Sequence, residues 1–122
     1  MYAIRGATTI SKNSSQEINI CSIELFEEII KKNCLKLSDI VSIIFSCTED
    51  ITKDYPGKFI REYYKLNNVA IMHFNEMKVD NSLSYCIRIL ILCNGEKDKI
   101  NYVYLRNSKS LRKDLLNESN DS

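Results

Sequence analysis

Cys86-Ile87-Arg88-Ile89-Leu90-Ile91-Leu92-Cys93 is the most apolar run in the chain, and a guanidinium stands inside it. The run reads as a strand whose side chains alternate between two faces, and both faces carry residues that want burial. Arginine cannot shed its charge in a protein. Burying it unpaired costs several kcal/mol, so something anionic must meet Arg88. Either an internal carboxylate such as Glu76 does so, or a ligand does.

The segments around this strand supply the rest of a small sheet. Tyr2 to Ile10 reads as a first strand, with Gly6 marking a bulge or a close backbone approach. Ser14-Ser15-Gln16-Glu17 fits a capping box. Ile18, Cys21, Leu25, Ile29 and Ile30 then recur at helical spacing, with Glu24, Glu27, Glu28, Lys31 and Lys32 on the wet side, to about Asn33. A turn at Leu37-Ser38-Asp39 leads into a β-branched run, Ile40 to Cys47. Pro56 suits the first position of a second helix reaching about Leu66. Val69 to Met72 reads as a short strand, Asn75 to Asn81 as a polar connection, and Asn94-Gly95 as a hairpin turn into a strand from Ile100 to Leu105. Asn107 to Leu116 allows a short helical turn.

This β-α-β-α-β-β-β order predicts an α+β fold, a mixed five-stranded sheet with two helices packed on one face. One domain is expected over residues 1–116, with residues 117–122 disordered because they have nothing to bury. A chain of 122 residues buries roughly two thirds of its unfolded surface. Two helices leave part of the sheet uncovered, which favours a homo-oligomer.

Composition narrows the function. A net charge of +1 provides no overall field for nucleic acid or an anionic membrane. No apolar stretch is long enough to span a bilayer, and the N-terminus lacks a secretory pattern. Five cysteines without a C-x-x-C pair read as reduced thiols of a cytoplasmic protein. The single histidine, His73, has no second ligand at a usable spacing, so no metal is expected. Glycine-rich nucleotide loops and a nucleophile elbow are absent too. His73 can serve as a general base, but a lone histidine is more often structural.

What remains is a set of fixed cations. Arg5 lies in the first strand and Arg88 in the apolar strand, while Lys58 and Arg61 share a face near the start of the second helix. That helix start adds partial positive charge and N–H groups, including those of Gly57 and Lys58. Together these suit a small molecule with two carboxylates. Taken singly, Lys58, Arg61 and Arg5 read better as solvated charges, and Arg88 reads as well as a solvent-facing or Glu76-paired charge.

The chain resembles the monofunctional α+β class of chorismate mutases. Ile4-Arg5-Gly6-Ala7-Thr8-Thr9, Pro56-Gly57-Lys58, Arg61-Glu62, Asn75-Glu76-Met77, Cys86-Ile87-Arg88, Val103-Tyr104-Leu105 and Leu111-Arg112-Lys113-Asp114-Leu115 follow that family's order and spacing. The resemblance implies a pseudo-barrel homotrimer with active sites between subunits. It implies rearrangement of chorismate, a dicarboxylate, to prephenate in aromatic amino acid biosynthesis, with no cofactor. By that resemblance Arg88 donates to the ether oxygen and a carboxylate, and Glu76 accepts the ring hydroxyl. Arg5 and Tyr104 bind carboxylate. Tyr55 packs against substrate, with Gly57 and Lys58 beside it. Arg61 and Arg112 capture the dianion at the cleft mouth, near Leu111, and Ile71, Met72 and His73 wall the ring. The sequence departs from the family's pattern at His73, where a small thiol is usual, and at Met72, Gly57 and Tyr55. The alternative from another class is a non-catalytic trimer that binds a small carboxylated metabolite.

Overall fold

A computed structural model of the protein describes residues 1–111. Arg112, the end of the expected helical turn and the 117–122 tail lie outside the described residues. The elements are β1 (Tyr2–Thr9), α1 (Ser15–Asn33), β2 (Ile40–Cys47), α2 (Pro56–Tyr64), β3 (Ala70–Asn75), β4 (Cys86–Cys93) and β5 (Val103–Tyr104), with short 3-10 turns at Leu37–Asp39 and Arg106–Ser108. They form one five-stranded sheet in the order β3-β2-β4-β1-β5.

The apolar strand β4 is central. It pairs antiparallel with β1 on one side and with β2 on the other. One residue class on each strand faces the helices: Ile87, Ile89, Ile91 and Cys93 on β4, Ile43 and Phe45 on β2, and Ile4 on β1 are all buried. Against them pack Ile18, Cys21, Leu25, Phe26 and Ile29 of α1 and Ile60 of α2. The Ile, Leu and Phe side chains among them contribute about 1.5–3 kcal/mol for each fully buried residue.

Local chemistry sets the helix ends. Ser14 Oγ accepts from the Glu17 N–H at 3.1 Å. The Glu17 carboxylate reaches past the expected partner and accepts from the Ser11 hydroxyl at 2.9 Å. The helix stops where Cys34 takes a left-handed conformation. Pro56 opens α2 as expected, and Lys65 caps it in the left-handed region, so the helix ends at Tyr64, two residues earlier than Leu66.

Two expectations need correction. No hairpin joins β4 to β5: both edges of β4 are already occupied, so the returning chain pairs with β1, in parallel, through Gly6–Val103 and Ala7–Tyr104. It does so over two residues only. β3 also runs further than the apolar segment suggests, through His73, Phe74 and Asn75, because a strand at the sheet edge tolerates polar residues.

Gly6 marks a close approach, while the irregularity in the ladder falls instead between Ile40 and Ser42. A Cβ at Gly6 would lie 2.9 Å from Ile29 Cδ1 and 3.0 Å from the Val103 carbonyl oxygen. Gly6→Ala is therefore expected to destabilise the fold by about 1–3 kcal/mol through overpacking, read as a lower midpoint in urea with an unchanged slope. An unaltered midpoint would contradict this packing.

Candidate active site

Among the described residues no helix packs across the face of the sheet away from α1 and α2, and only one end of that face, at Ala7, Cys86 and Tyr104, is covered, by Leu83 and Leu111. Strand alternation places there Ala3, Arg5 and Ala7 of β1, Arg88, Leu90 and Leu92 of β4, and Ser42, Ile44 and Ser46 of β2, together with Met72 and Phe74 of β3 and Tyr104 of β5. Met72 and Phe74 are 59% and 50% exposed, so the described residues leave this apolar surface uncovered.

Arg88 belongs to this face. Its side chain is 37% accessible, so the apolar run does not bury it completely. Register explains why: Arg88 lies opposite Ala7 on β1 and Ser46 on β2, two small residues that leave room for a guanidinium. Nε stands 3.5 Å from Glu76 Oε1 but makes no hydrogen bond. That carboxylate oxygen instead accepts from Ser46 Oγ at 2.8 Å. Glu76 follows directly on β3, and its N–H donates to the Cys47 carbonyl at 2.8 Å, which fixes its position at the end of β2.

Arg88 lines a cleft of about 280 Å³ with Arg5, Gly6, Ile44, Ser46, Leu90 and Tyr104. Among the described residues, three buried side-chain polar atoms lack a hydrogen-bond partner: Ser22 Oγ, Arg88 Nε and the Tyr104 hydroxyl. Two of the three belong to residues that line this cleft. Each unmet buried group costs ~1–3 kcal/mol, so a complementary acceptor gains from both. Burial pushes the Tyr104 phenol up despite the opposing pull of Arg5 and Arg88, keeping it a neutral hydroxyl. Arg5 lies over the Tyr102 ring, 5.7 Å from its centroid. Leu111 packs with Ala7, Cys86 and Tyr104 at the cleft's edge.

A second group forms around the start of α2, where Tyr55, Gly57, Lys58, Arg61, Ile71 and His73 line a separate cleft of about 210 Å³. Lys58 and Arg61 share a helix face as expected. The N–H groups of this helix start are not available to a ligand, contrary to expectation. Gly57 N–H donates to His73 Nε2 at 2.9 Å, and Lys58 N–H donates to the Tyr55 carbonyl at 3.1 Å. Attraction for an anion rests on the side chains.

The two groups do not meet within one chain, and their lining residues do not overlap. Arg5, Glu76, Arg88 and Tyr104 stand on or beside the open face, whereas the α2 group lies on the other. The segment Ile71-Met72-His73 is split by strand alternation: Met72 points to the open face, while Ile71 and His73 turn towards α2.

Two neighbours escaped the sequence reading. Ser46 holds Glu76; alternation of polar Ser42 and Ser46 about Ile44 was the available signal. Asp54 anchors the α2 group, accepting from Ser15 Oγ at 2.6 Å, the Tyr55 N–H at 2.9 Å and Lys58 Nζ at 3.5 Å. The Ser15 hydroxyl and the Tyr55 N–H hold the Asp54 carboxyl below the usual carboxylate range.

The chain is similar to known proteins over nearly its whole length. The family model described as chorismate mutase type I matches residues 1–115. The chain is 35% identical over 114 residues to the chorismate mutase AroH of Bacillus subtilis, covering 92% of this chain and 90% of that one. It is 31% identical over 115 residues to chorismate mutase AroH of Thermus thermophilus, covering 92% and 93%. A solved chorismate mutase from Clostridium thermocellum superposes with a TM-score of 0.85 at 39% identity, over 90% of this chain and 99% of that one.

Proposed function

The chain belongs to the type I chorismate mutases, and from that premise we propose that its residues form the active site between protomers of a homotrimer. Each site takes Arg5, Glu76, Arg88 and Tyr104 from the open face of one subunit. It takes Tyr55, Lys58, Arg61 and Ile71 from the α2 group of the next. The separation of the two groups on opposite faces supports this reading, as does the uncovered apolar surface at Met72 and Phe74.

The enzyme converts chorismate to prephenate. The ether C–O bond breaks and a C–C bond forms within one molecule, so no proton, electron or group is exchanged with the protein. Catalysis then consists of holding the reactive conformer and stabilising charge as it develops. As the ether bond lengthens ahead of C–C formation, its oxygen becomes negative and the ring becomes allylic-cation-like. Arg88, whose Nε makes no hydrogen bond and which lines a cleft walled by Ile44 and Leu90, is the donor for that oxygen. Its interaction grows towards the transition state, which is what accelerates the step.

Glu76 accepts the ring hydroxyl and sets a negative charge beside the developing allylic cation, held in place by Ser46. Arg5 and Tyr104 receive a carboxylate. Lys58 and Arg61 attract the dianion at the mouth of the cleft, with Arg112 assigned there by family position. Gly57 and Met72 complete the walls, and Leu111 borders the cleft from the C-terminal side. We also place the enzyme in the cytoplasm; among the described residues no helix is long and apolar enough to cross a membrane.

The observation that carries this reading is the pairing of two unsatisfied polar groups, Arg88 Nε and the Tyr104 hydroxyl, in one apolar cleft. Purified protein is expected to consume chorismate, followed by loss of its absorbance, and to yield prephenate without added metal or nucleotide. Arg61→Ala should raise KM about tenfold while changing kcat less, as expected when a charge assists capture more than chemistry. Binding of chorismate without turnover would instead favour the non-catalytic trimer.

A further inference from the structure

The start of α2 lacks the side-chain cap that a helix normally receives from its own N-cap residue, because Tyr55 stands there and its side chain makes no capping hydrogen bond. The missing acceptor comes from another element. His73, on β3, presents Nε2 to the Gly57 N–H at 2.9 Å. The ring is held on both sides. It stacks on Phe45 at 5.1 Å with planes 11° apart, and Tyr55 leans against it at 5.1 Å. Backbone and imidazole fit closely, since a Cβ on Gly57 would lie 2.8 Å from Nε2 and 2.6 Å from Ile71 Cγ2.

We propose that neutral His73 is a positioning residue, serving from the neighbouring strand as the cap of α2 and thereby setting where Lys58 and Arg61 stand to receive the substrate dianion. The inference rests on the active-site reading above, because it gives those two cations their purpose. An imidazole accepts at Nε2 only while that nitrogen is unprotonated, so the structure also assigns the tautomer: the proton resides on Nδ1. Adding a second proton would set one donor against another. Nε2 is aimed at the Gly57 N–H, so the new proton finds an acceptor only if the first turn of α2 moves.

The surrounding charges oppose that proton. Arg61 and Lys58 face the ring from α2; Tyr55, Asp54 and Lys53 belong to the loop before it, and Cys47 to β2. Burial, and then Arg61, push the His73 imidazole below its ordinary value. With the folded value depressed, the stabilisation from the cap is present at neutral pH and is lost as pH falls through the folded value. Added positive charge would by itself draw in a dianion. The two effects have opposite signs on KM, and the geometry favours disruption, since the proton enters at the capping atom.

The test measures KM and kcat from neutral to mildly acidic pH in three proteins. The wild type should show KM rising as pH falls below the ordinary imidazole range, with kcat changing less. His73→Phe keeps a ring against Phe45 but removes the acceptor; KM at neutral pH should rise about fivefold to tenfold, the equivalent of one lost hydrogen bond. His73→Gln places an uncharged acceptor near the position of Nε2. It should recover most of the affinity lost in the Phe variant, and its KM should no longer respond to acid.

A readout without turnover accompanies these. In the wild-type protein labelled with 15N, His73 Nε2 should give the shift of an unprotonated acceptor at neutral pH, and the Gly57 amide should titrate with it. A proton on Nε2 at neutral pH, or a Gly57 amide indifferent to imidazole protonation, would overturn the proposal. So would a wild-type KM that is flat or falls in acid while chorismate is still consumed. Absence of any turnover would instead count against the active-site reading, leaving the nitrogen shifts to decide whether the cap exists.

Discussion

Arg88→Ala is expected to lower kcat by about a hundredfold to a thousandfold, the loss that follows removal of one preorganised donor to a developing oxyanion. The expectation follows from what Arg88 does not do in the fold. Its side chain is 37% accessible and its Nε stands 3.5 Å from Glu76 Oε1 without a hydrogen bond, so the change removes only a partly exposed ion pair, worth little to stability. Glu76 keeps its contact with Ser46. The variant should therefore unfold at nearly the same denaturant concentration as the wild type. A large loss of rate without a matching loss of stability separates a catalytic role from a structural one. Arg88→Lys is expected to remain severely impaired, because an ammonium keeps the charge but cannot present the planar, two-pronged donor set. If the alanine variant turned over chorismate normally, the electrostatic account of the transition state would be wrong.

Much of the fold was legible because the strongest signals were local. The runs Ile40 to Cys47 and Cys86 to Cys93 coincide with β2 and β4, being branched segments bounded by polar loops. Ser14 and Pro56 mark the helix starts through chemistry confined to one turn. β5 departs from the hairpin expectation because its partner is determined by competition for edges. Nothing within residues 94–105 records that both sides of β4 are filled.

The site shows the same division. Arg5, Arg88, Lys58 and Arg61 stand out as fixed charges in sequence, yet their separation into two groups depends on strand parity and on which face the helices cover. Ile71, Met72 and His73 are consecutive residues that look like one wall, and alternation divides them. Ser46 and Asp54 do not stand out in sequence, because a serine in a strand and an aspartate in a loop are ordinary. Their importance lies in what they hold, Glu76 and Lys58, and those contacts are between elements. The fit of Gly57 to His73 was hidden for the same reason, since it joins a helix start to an edge strand.

Shared sites make a further strong prediction about mixtures. Arg88→Ala removes the donor on the open face, and Arg61→Glu reverses the charge that receives the dianion on the α2 side. Each variant alone should be nearly inactive at low substrate concentration. In a cyclic trimer every site joins the open face of one subunit to the α2 group of the next. Random mixing of the two variants then leaves about a quarter of sites with both halves intact. Neither parent contains any such site. The recovery needs no change in either chain, only a new neighbour.

The decisive measurement is thus the chorismate consumption of the two inactive variants after they are unfolded and refolded together in equal amounts. Recovery to about a quarter of the wild-type rate is expected if Arg88 works opposite Arg61 of an adjoining subunit. A mixture no more active than the two variants assayed apart would contradict that arrangement.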